Sequence, residues 1–302
     1  VCLALFLIIP KFFDYEKKKN LISGFLYDDY NLNVKSIGSI TYNSLPAPNL
    51  EIKEVVVTLE GDETIINIGK LKIFHELYSL YNDQNFKIKK IKLKETQSSV
   101  QVNNFNNIIT KFLKIKKNIE IIGFNLKVND SEKFILQLNN LNYKNHGIRK
   151  NILKGNLFNK NFKIKIKNEF RDIEFKIFET GVSGKITLKN INKKDGFEGH
   201  LKAKILKSKF KTNFFYNEKK LLFDDTFFRN KYLSFSSDGE VILKPFVKSK
   251  INFLIKEIDL EIIRKINLNK FLQQKEIIKR LNAENSINFQ PSKFSRNTTK
   301  NF

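Results

Sequence analysis

The side chains with the chemistry for catalysis or metal binding are few in this sequence and stand far apart. The three histidines, His75, His146 and His200, form neither an H-x-x-H nor an H-E-x-x-H pattern, which argues against a zinc site. The sequence contains no cysteine–histidine pair at usable spacing, no G-x-S-x-G elbow, no phosphate-binding loop and no G-x-G-x-x-G motif. We therefore predict that the protein is not an enzyme and has no catalytic residue, metal or cofactor.

Two further patterns resemble functional ones but have simpler explanations. Asp28–Asp29 and Asp224–Asp225 are adjacent carboxylates, and neighbouring residues of a strand point to opposite faces, so we expect solvated turns rather than an acid–base pair. Phenylalanine alternates with lysine in FKIKIK and KSKFKTNFF. A stacking surface for single-stranded nucleic acid needs both on the same face, so we expect no specific nucleic acid partner.

The composition is strongly basic, with 55 Lys and Arg against 31 Asp and Glu and a net charge of +24 over 302 residues. Such a charge usually indicates nucleic acid or an anionic membrane as partner. Here Lys, Asn, Ile and Phe, whose codons are all AT-rich, are abundant together, and the lysines are spread along the whole chain. We interpret most of them as a solvated face with an electrostatic bias toward anionic head groups. The length fits one large domain or two ordinary ones.

The N-terminal run VCLALFLIIP is apolar and starts without a methionine, which is absent from the whole sequence. We therefore expect a fragment or a processed form. The run is shorter than the ~20 residues that cross a bilayer, and three alternatives remain open: the end of a transmembrane anchor, the core of a signal peptide, or a buried strand. We favour a partial anchor over residues 1–15, because no small residues follow as in a cleavage site. Cys2 is the single cysteine, so no intramolecular disulfide forms.

Beyond the anchor, hydrophobic periodicity predicts a mainly β chain with a few short helices. Helical spacing predicts a helix within residues 16–30, a two-turn helix at 74–82, and an amphipathic helix at 258–284; residues 105–117 fit helix and strand equally. Elsewhere apolar residues alternate with polar ones, as in antiparallel sheets with one wet face. We expect regions at 16–118 and 119–257 and an irregular tail at 285–302.

Each predicted strand has one apolar face, but few long helices are available to cover these faces. A sandwich or a closed barrel would bury them within the protein, and this is the commoner outcome. Alternatively the sheet curls into a trough whose apolar face is occupied by another molecule. Acyl chains suit this role, because each methylene group contributes ~0.8 kcal/mol when it leaves water.

The region from the N-terminal run to about residue 100 resembles the AsmA family of Gram-negative envelope proteins. VCLALFLIIPKFFDY is similar to the end of the family's anchor, and NLISGFLYDDYNLNVKSIGSITYNSLPAPNLEIKEVVVTL to its exit helix, first strands and proline turn, here Pro46 and Pro48. IINIGKLKIFHELYSLYNDQNFKIKKIKLKETQSSVQV is similar to the next strand, short helix and strand. The pair Tyr30–Asn31 departs from the Gly-Arg turn of many members.

This resemblance implies a protein anchored in the inner membrane with its bulk in the periplasm, whose elongated, curled antiparallel sheet forms a β-groove. It implies a role in outer-membrane biogenesis by passive phospholipid transport, with acyl chains, the inner membrane and outer-membrane or envelope proteins as partners. It favours the trough over the sandwich. The apolar residues that would line the groove are Phe162, Ile164, Ile166, Ile173, Phe175, Ile177, Leu201, Ala203, Ile205, Phe210, Phe214, Leu233, Phe235, Val241, Leu243, Ile251, Phe253 and Ile255.

Two other functions remain open at this point. The chain could be a scaffold that does not transport lipid, has an ordinary sandwich core, and assists the targeting of outer-membrane proteins. It could also be a basic β-rich module that binds nucleic acid. Near Lys53–Glu54, alternation breaks between Ile52 and Val55, and we expect a bulge or a change of register there.

Overall fold

The computed structural model shows a mainly β protein, with 66% of residues in strands and few short helices, as alternation predicts. The structure describes residues 7–59, 61, 63–81, 86–145, 150–190, 196–217, 219–243, 248–259 and 282–294.

Five helical segments and seventeen strands follow one another along the described part of the chain. The helices are the 3₁₀ turns Ile9–Phe12, Glu16–Lys18 and Leu77–Leu80 and the α-helices α1 (Lys19–Tyr30) and α2 (Val102–Lys114). The strands of the N-terminal half are β1 (Leu32–Ser36), β2 (Ile40–Asn43), β3 (Asn49–Leu59), β4 (Ile66–His75), β5 (Ile88–Gln101), β6 (Asn118–Asp130), β7 (Lys133–Asn145), β8 (Lys150–Leu157) and β9 (Lys160–Lys167). Those of the C-terminal half are β10 (Asp172–Ile177), β11 (Val182–Asn190), β12 (Phe197–Ile205), β13 (Ser208–Tyr216), β14 (Lys220–Arg229), β15 (Leu233–Ile242), β16 (Lys248–Ile258) and β17 (Asn282–Phe294).

The chain divides into two compact units, residues 1–167 and 168–302. Residue 118, where the sequence predicts a change of region, begins β6, whose parallel pairing with β5 places it inside the first unit. In that unit β3 pairs with β4 on one side and, on the other, with β2 along its first half and β1 along its second. The remaining strands pair in sequence order up to β9, and α2 connects the parallel strands β5 and β6.

The proline turn lies between β2 and β3, where Pro46 and Pro48 fall outside the strands and the Leu45–Pro46 peptide bond is cis. Since proline lacks a backbone N–H, it fits this connection better than a central strand. The turn leads directly into the buried start of β3, as the sequence predicts.

A crease crosses the first unit from β3 to β7. At one level of the sheet φ is positive at Glu54, Glu95, Gly123 and Asn140, and Gly69 of β4 stands at that level between the first two. The inward-facing positions step by three instead of two there, as at Ile52 and Val55, Ile68 and Leu71, Leu93 and Thr96, and Ile121 and Phe124. Because β3 and β4 step together, their register is unbroken, so the irregularity predicted at Lys53–Glu54 is a shared crease rather than a bulge between them.

The core of the first unit lies between its sheet and the two α-helices. Helix α1 contributes Ile22, Leu26 and Tyr30, all fully buried, and it ends at Asn31, whose left-handed conformation lets its N–H bond to Tyr27 O at 2.8 Å. Ile108 of α2 is also buried in this core. The apolar face of β3 to β6 is therefore closed by the protein's own helices.

The N-terminal segment is described from residue 7 onward, so residues 1–6 of the predicted anchor at 1–15 lie outside the described residues, and the remainder includes the 3₁₀ turn Ile9–Phe12. Within the described residues, no helix has both the length and the hydropathy needed to span a membrane. The predicted helix at 74–82 is shorter, a single 3₁₀ turn at Leu77–Leu80, because β4 continues to His75. The ambiguous segment 105–117 is helical as α2.

In the second unit β10 to β16 form a meander in which each strand pairs antiparallel with the next, and β17 pairs parallel with β16. Most of the helix predicted at 258–284 lies outside the described residues. The irregular tail predicted from residue 285 is at variance with β17, which extends to Phe294.

Replacing Leu26 by alanine tests whether helix α1 closes the core. Leu26 is fully buried, so the L26A variant should lose about 2–5 kcal/mol of unfolding free energy through lost transfer and a residual cavity. The measurement is urea unfolding followed by circular dichroism. The neighbouring Tyr27 is exposed, and Tyr27→Ala is the matched control with a small expected effect. Equal losses in both variants would contradict the assigned packing.

Candidate functional site

The predicted apolar set of the second unit lies on one face of its sheet. Antiparallel partners point to the same side of a sheet, and the register pairs Phe175 with Gly184, Ala203 with Phe210, and Phe235 with Ile255. The predicted residues thereby brought together are Ile173, Phe175, Ile177, Leu201, Ala203, Ile205, Phe210, Phe214, Leu233, Phe235, Val241, Ile251, Phe253 and Ile255. Leu243 directly follows β15, and its N–H bonds to Lys219 O.

The three remaining predicted residues, Phe162, Ile164 and Ile166, lie on β9 in the first unit. Ile166 is buried and Phe162 packs against the core of that unit. The sequence treats them as one continuous set with the later residues, but they belong to a different unit and a more closed environment.

Strand β14 supplies apolar residues to the same face that the sequence-based selection missed. Leu221 and Phe223 pair with Val241 and Gly239, and Phe228 pairs with Phe235. Between them the backbone bulges at Asp225, where φ is 46°, so the inward positions shift by one residue. The shift is hidden in the sequence because LLF at 221–223 and FF at 227–228 are apolar at every position. The one sequence signal of a bulge is the acidic pair at 224–225 between them.

The apolar face of the second unit is much less buried than that of the first. In the first unit the inward side chains of β3 to β5 are almost all fully enclosed. Among the residues of 168–259 whose burial the structure describes, no apolar side chain reaches the buried class, and the buried non-glycine residues are Thr212, Thr226, Ser234, Ser237 and Ser249. This face is therefore apolar but half open.

A row of small hydroxyl residues crosses the middle of this face. The hydroxyl row consists of Thr212, Thr226 and Ser237 on three adjacent strands; the two threonine oxygens lie 2.6 Å apart, and Thr226 pairs with Ser237. Phe210, Phe228 and Phe235 flank it on one side, and Phe214 and Phe223 flank it on the other. The three hydroxyl residues are buried, whereas the phenylalanines beside them are half-buried, so the larger rings enclose the row.

Three alternate hairpins of this meander, β10–β11, β12–β13 and β14–β15, each pair a phenylalanine with a glycine across their two strands. The pairs are Phe175 with Gly184, Phe214 with Gly199, and Phe223 with Gly239. A Cβ on Gly184 would stand 2.5 Å from the Phe175 ring, and one on Gly199 would stand 3.0 Å from the Phe214 ring. Because Gly184 and Gly199 have no side chain, the Phe175 and Phe214 rings can lie close to the backbone of the neighbouring strand.

The opposite face of the second unit is polar. Lys185 Nζ lies 2.9 Å from Asp172 Oδ1, and the hydrogen bond from this ammonium lowers the pKa of Asp172. A depression of about 330 Å³ is lined by His200, Lys211, Asn213, Asp225, Thr226, Phe227, Ser236 and Lys256.

The polar depression contains a hydrogen-bonded chain but not a catalytic one. His200 Nδ1 lies 2.9 Å from Asn213 Oδ1, and Asn213 Nδ2 donates to Asp225 Oδ2 at 3.1 Å. The serine of the lining, Ser236, is not joined to the histidine, so no activated nucleophile is assembled. Within the part of the chain that the structure describes, no group of three His, Cys, Asp or Glu side chains could hold a metal ion.

The other chemistry-bearing residues are dispersed. The prediction that both aspartate pairs lie in turns is wrong, because Asp28 and Asp29 belong to α1 and Asp224 and Asp225 to the bulge of β14. Asp29 forms an ion pair with Lys117 at 3.2 Å, and Asp224 and Asp225 are exposed. His146 lies outside the described residues. His75 ends β4, is 5% exposed, and lies beside the rings of Tyr42 and Phe86.

The buried His75 predicts a defined pH dependence of stability. Burial lowers its pKa, Nδ1 contacts Glu76 O at 2.8 Å, and Nε2 has no hydrogen-bond partner. Since the folded-state pKa lies below the unfolded value of about 6.5, the unfolded chain binds more protons, and stability present at pH 7 is lost as pH falls toward and through the folded-state pKa.

The measurement is urea unfolding at several values between about pH 7 and pH 5. The His75→Phe variant removes the titrating group and should show a shallower decline than the parent chain. An identical slope in the two proteins would show that His75 does not titrate in this range.

Comparison of this chain with known protein families, with curated proteins and with solved structures found no match.

Proposed function

We propose that this chain is an AsmA-like protein of a Gram-negative-type cell envelope, anchored in the inner membrane with its bulk in the periplasm, and that it carries phospholipid during outer-membrane biogenesis. In this proposal the sheet forms an elongated, curled groove. The observation that supports it most directly is the half-open apolar face of the second unit, spanning the seven strands from β10 to β16.

The contrast between the two units supports a bound ligand over a dry protein core. The strands of both units present one apolar face, but within the described residues only those of the first unit have helices α1 and α2 packed on them. The apolar side chains on this face of the second unit are mostly only half-buried, and a contiguous apolar patch that stays accessible to solvent is typical of a binding surface. Acyl chains fit because each methylene taken out of water contributes about 0.8 kcal/mol and no directional bonds are required.

The proposed mechanism is passive. Acyl chains lie on the apolar face, against the half-buried phenylalanine, leucine and isoleucine side chains of β10 to β16. Head groups stay in water at the margin of the sheet, where they keep their hydration and avoid the desolvation cost of a buried charge. In this mechanism no residue has to gain or lose a proton.

The test is native mass spectrometry of the purified chain with two charge substitutions on one strand. Phe253 faces the apolar side, where it packs edge-on against Phe235 with ring centroids 5.5 Å apart; its neighbour Leu254 faces the polar side, paired with Ser236. Both are half-buried. F253D should reduce co-purified phospholipid by about tenfold or more, because a carboxylate in hydrocarbon costs several kcal/mol, with a limited change in melting temperature. L254D should keep the parent's lipid load.

Different results would support other functions. A lipid-free parent chain with F253D unfolded would indicate a dry core, as in a scaffold that assists envelope assembly. A lipid-free parent chain that binds oligonucleotides with a steep salt dependence would instead favour a nucleic-acid-binding module.

A further inference from the structure

Three hairpin turns lie side by side where the strands of the second unit end, along one border of its sheet. These are Phe178–Gly181 between β10 and β11, Leu206–Lys207 between β12 and β13, and Asn230–Tyr232 between β14 and β15. In a meander every second turn lies on the same edge, and Leu206 N–H donates to Gly181 O at 3.0 Å, which fixes two of the turns together. We refer to these three segments as the turn edge.

The turn edge collects the exposed large apolar side chains of the second unit. In the described part of that unit, the large apolar residues in the exposed class are Phe178 (38% exposed), Ile205 (46%), Leu206 (67%) and Tyr232 (40%). All four lie in these turns or directly beside them. A random scatter would have placed some of them on the polar face or in strand centres.

The backbone holds these side chains outward. Leu206 has φ of 55°, a conformation in which glycine or asparagine is usual and a branched apolar residue is unfavourable. Tyr232 O accepts from Asp259 N at 2.7 Å, and Asn230 Oδ1 accepts from Tyr232 N at 2.8 Å. These hydrogen bonds fix the turns, and Leu206, which lies against Gly181 of the neighbouring turn, still keeps most of its side chain exposed.

Basic groups accompany the apolar ones. Lys176 Nζ lies 5.1 Å from the centre of the Phe178 ring, and Lys231 Nζ lies 5.4 Å from that of Tyr232. Basic side chains outnumber acidic ones along the edge, where Lys176, Lys204, Lys207, Lys209, Arg229 and Lys231 stand with Glu179, Glu257 and Asp259. Arg229 pairs with Glu257 at 3.7 Å.

We propose that the turn edge docks on the surface of an anionic phospholipid bilayer. Phe178, Leu206 and Tyr232 enter the boundary between head groups and acyl chains, and the neighbouring lysines approach the lipid phosphates. Aromatic and aliphatic side chains interleaved with lysine are the combination that binds this interface, because each supplies one part of the attraction. This docking surface does not depend on lipid being carried on the apolar face, and it would operate equally in a protein that carries none.

The first experiment measures binding of the full chain to vesicles of phosphatidylcholine containing roughly one third phosphatidylglycerol. The turn-edge variant combines Phe178→Ser, Leu206→Asn and Tyr232→Ser; asparagine suits the left-handed position, so the turn is retained. It should bind these vesicles at least about tenfold more weakly than the parent chain. The matched control replaces three exposed apolar residues of the first unit, Tyr78, Phe134 and Ile135, by serine and should bind like the parent.

The second experiment uses the absence of tryptophan from the chain. Tyr232→Trp introduces a single tryptophan at the turn edge, and Tyr78→Trp introduces a single tryptophan at an exposed site of the first unit. Adding the anionic vesicles should shift the emission of Y232W to shorter wavelength and leave that of Y78W unchanged. Quenching by lipids brominated along their acyl chains should likewise be confined to Y232W.

Three outcomes would overturn the proposal. The turn-edge variant could bind vesicles as well as the parent, which would leave the net charge alone responsible. Y232W and Y78W could respond equally. The parent chain could ignore vesicles while light scattering shows an oligomer that the turn-edge variant disrupts, which would make this edge an interface between copies. Loss of co-purified lipid in F253D with unchanged vesicle binding would separate the docking surface from the proposed transport function.

Discussion

The need to cover the apolar face of an antiparallel sheet determines how each part of this protein is built. A strand that alternates apolar and polar residues buries one side or leaves it exposed to water, and the cost grows with every strand added. The first unit covers its sheet with α1 and α2, whose buried residues meet the inward side chains of β3 to β6. The second unit continues the same alternation over seven described antiparallel strands without comparable burial, and its functional interpretation follows from that difference.

The strands of the two units also differ in how they depart from regular geometry. In the first, left-handed residues and Gly69 stand at one level of neighbouring strands; β3 to β6 keep their register there, whereas β6 and β7 change register between Ile121 and Phe124. In the second, the bulge at Asp225 affects β14 and shifts its register against both neighbours. The hydroxyls of Thr212 and Thr226 lie beside it, and Thr212 also reaches backbone carbonyls at Asn213 and Asp224. The hydroxyl row in the apolar face is therefore hydrogen-bonded to the bulged backbone of β14.

Alternation was sufficient to predict the strand content and the common face of the second unit, because side-chain direction in a strand has a strict period of two. It could not reveal Phe223 or Phe228, since a bulge reverses parity without a sequence signal of its own. The phenylalanine–glycine pairs were equally hidden: Phe175 and Gly184 are nine positions apart and Phe214 and Gly199 fifteen, so they form no repeat until the register is known. Burial by α1 and α2 was missed for another reason, because covering a sheet is a tertiary event that local periodicity does not report.

The pairing order of the second unit has a consequence for its evolution. Within the described part of β10 to β16, these strands pair with their neighbours in sequence, as in a one-dimensional array of hairpins. Deleting or duplicating one complete hairpin, such as Phe197–Tyr216, would keep the flanking strands antiparallel and their apolar residues on the same side. The number of strands in such a sheet can therefore change in steps of two. Related chains could differ in the width of the sheet across its strands while keeping the same strand length and the same apolar face.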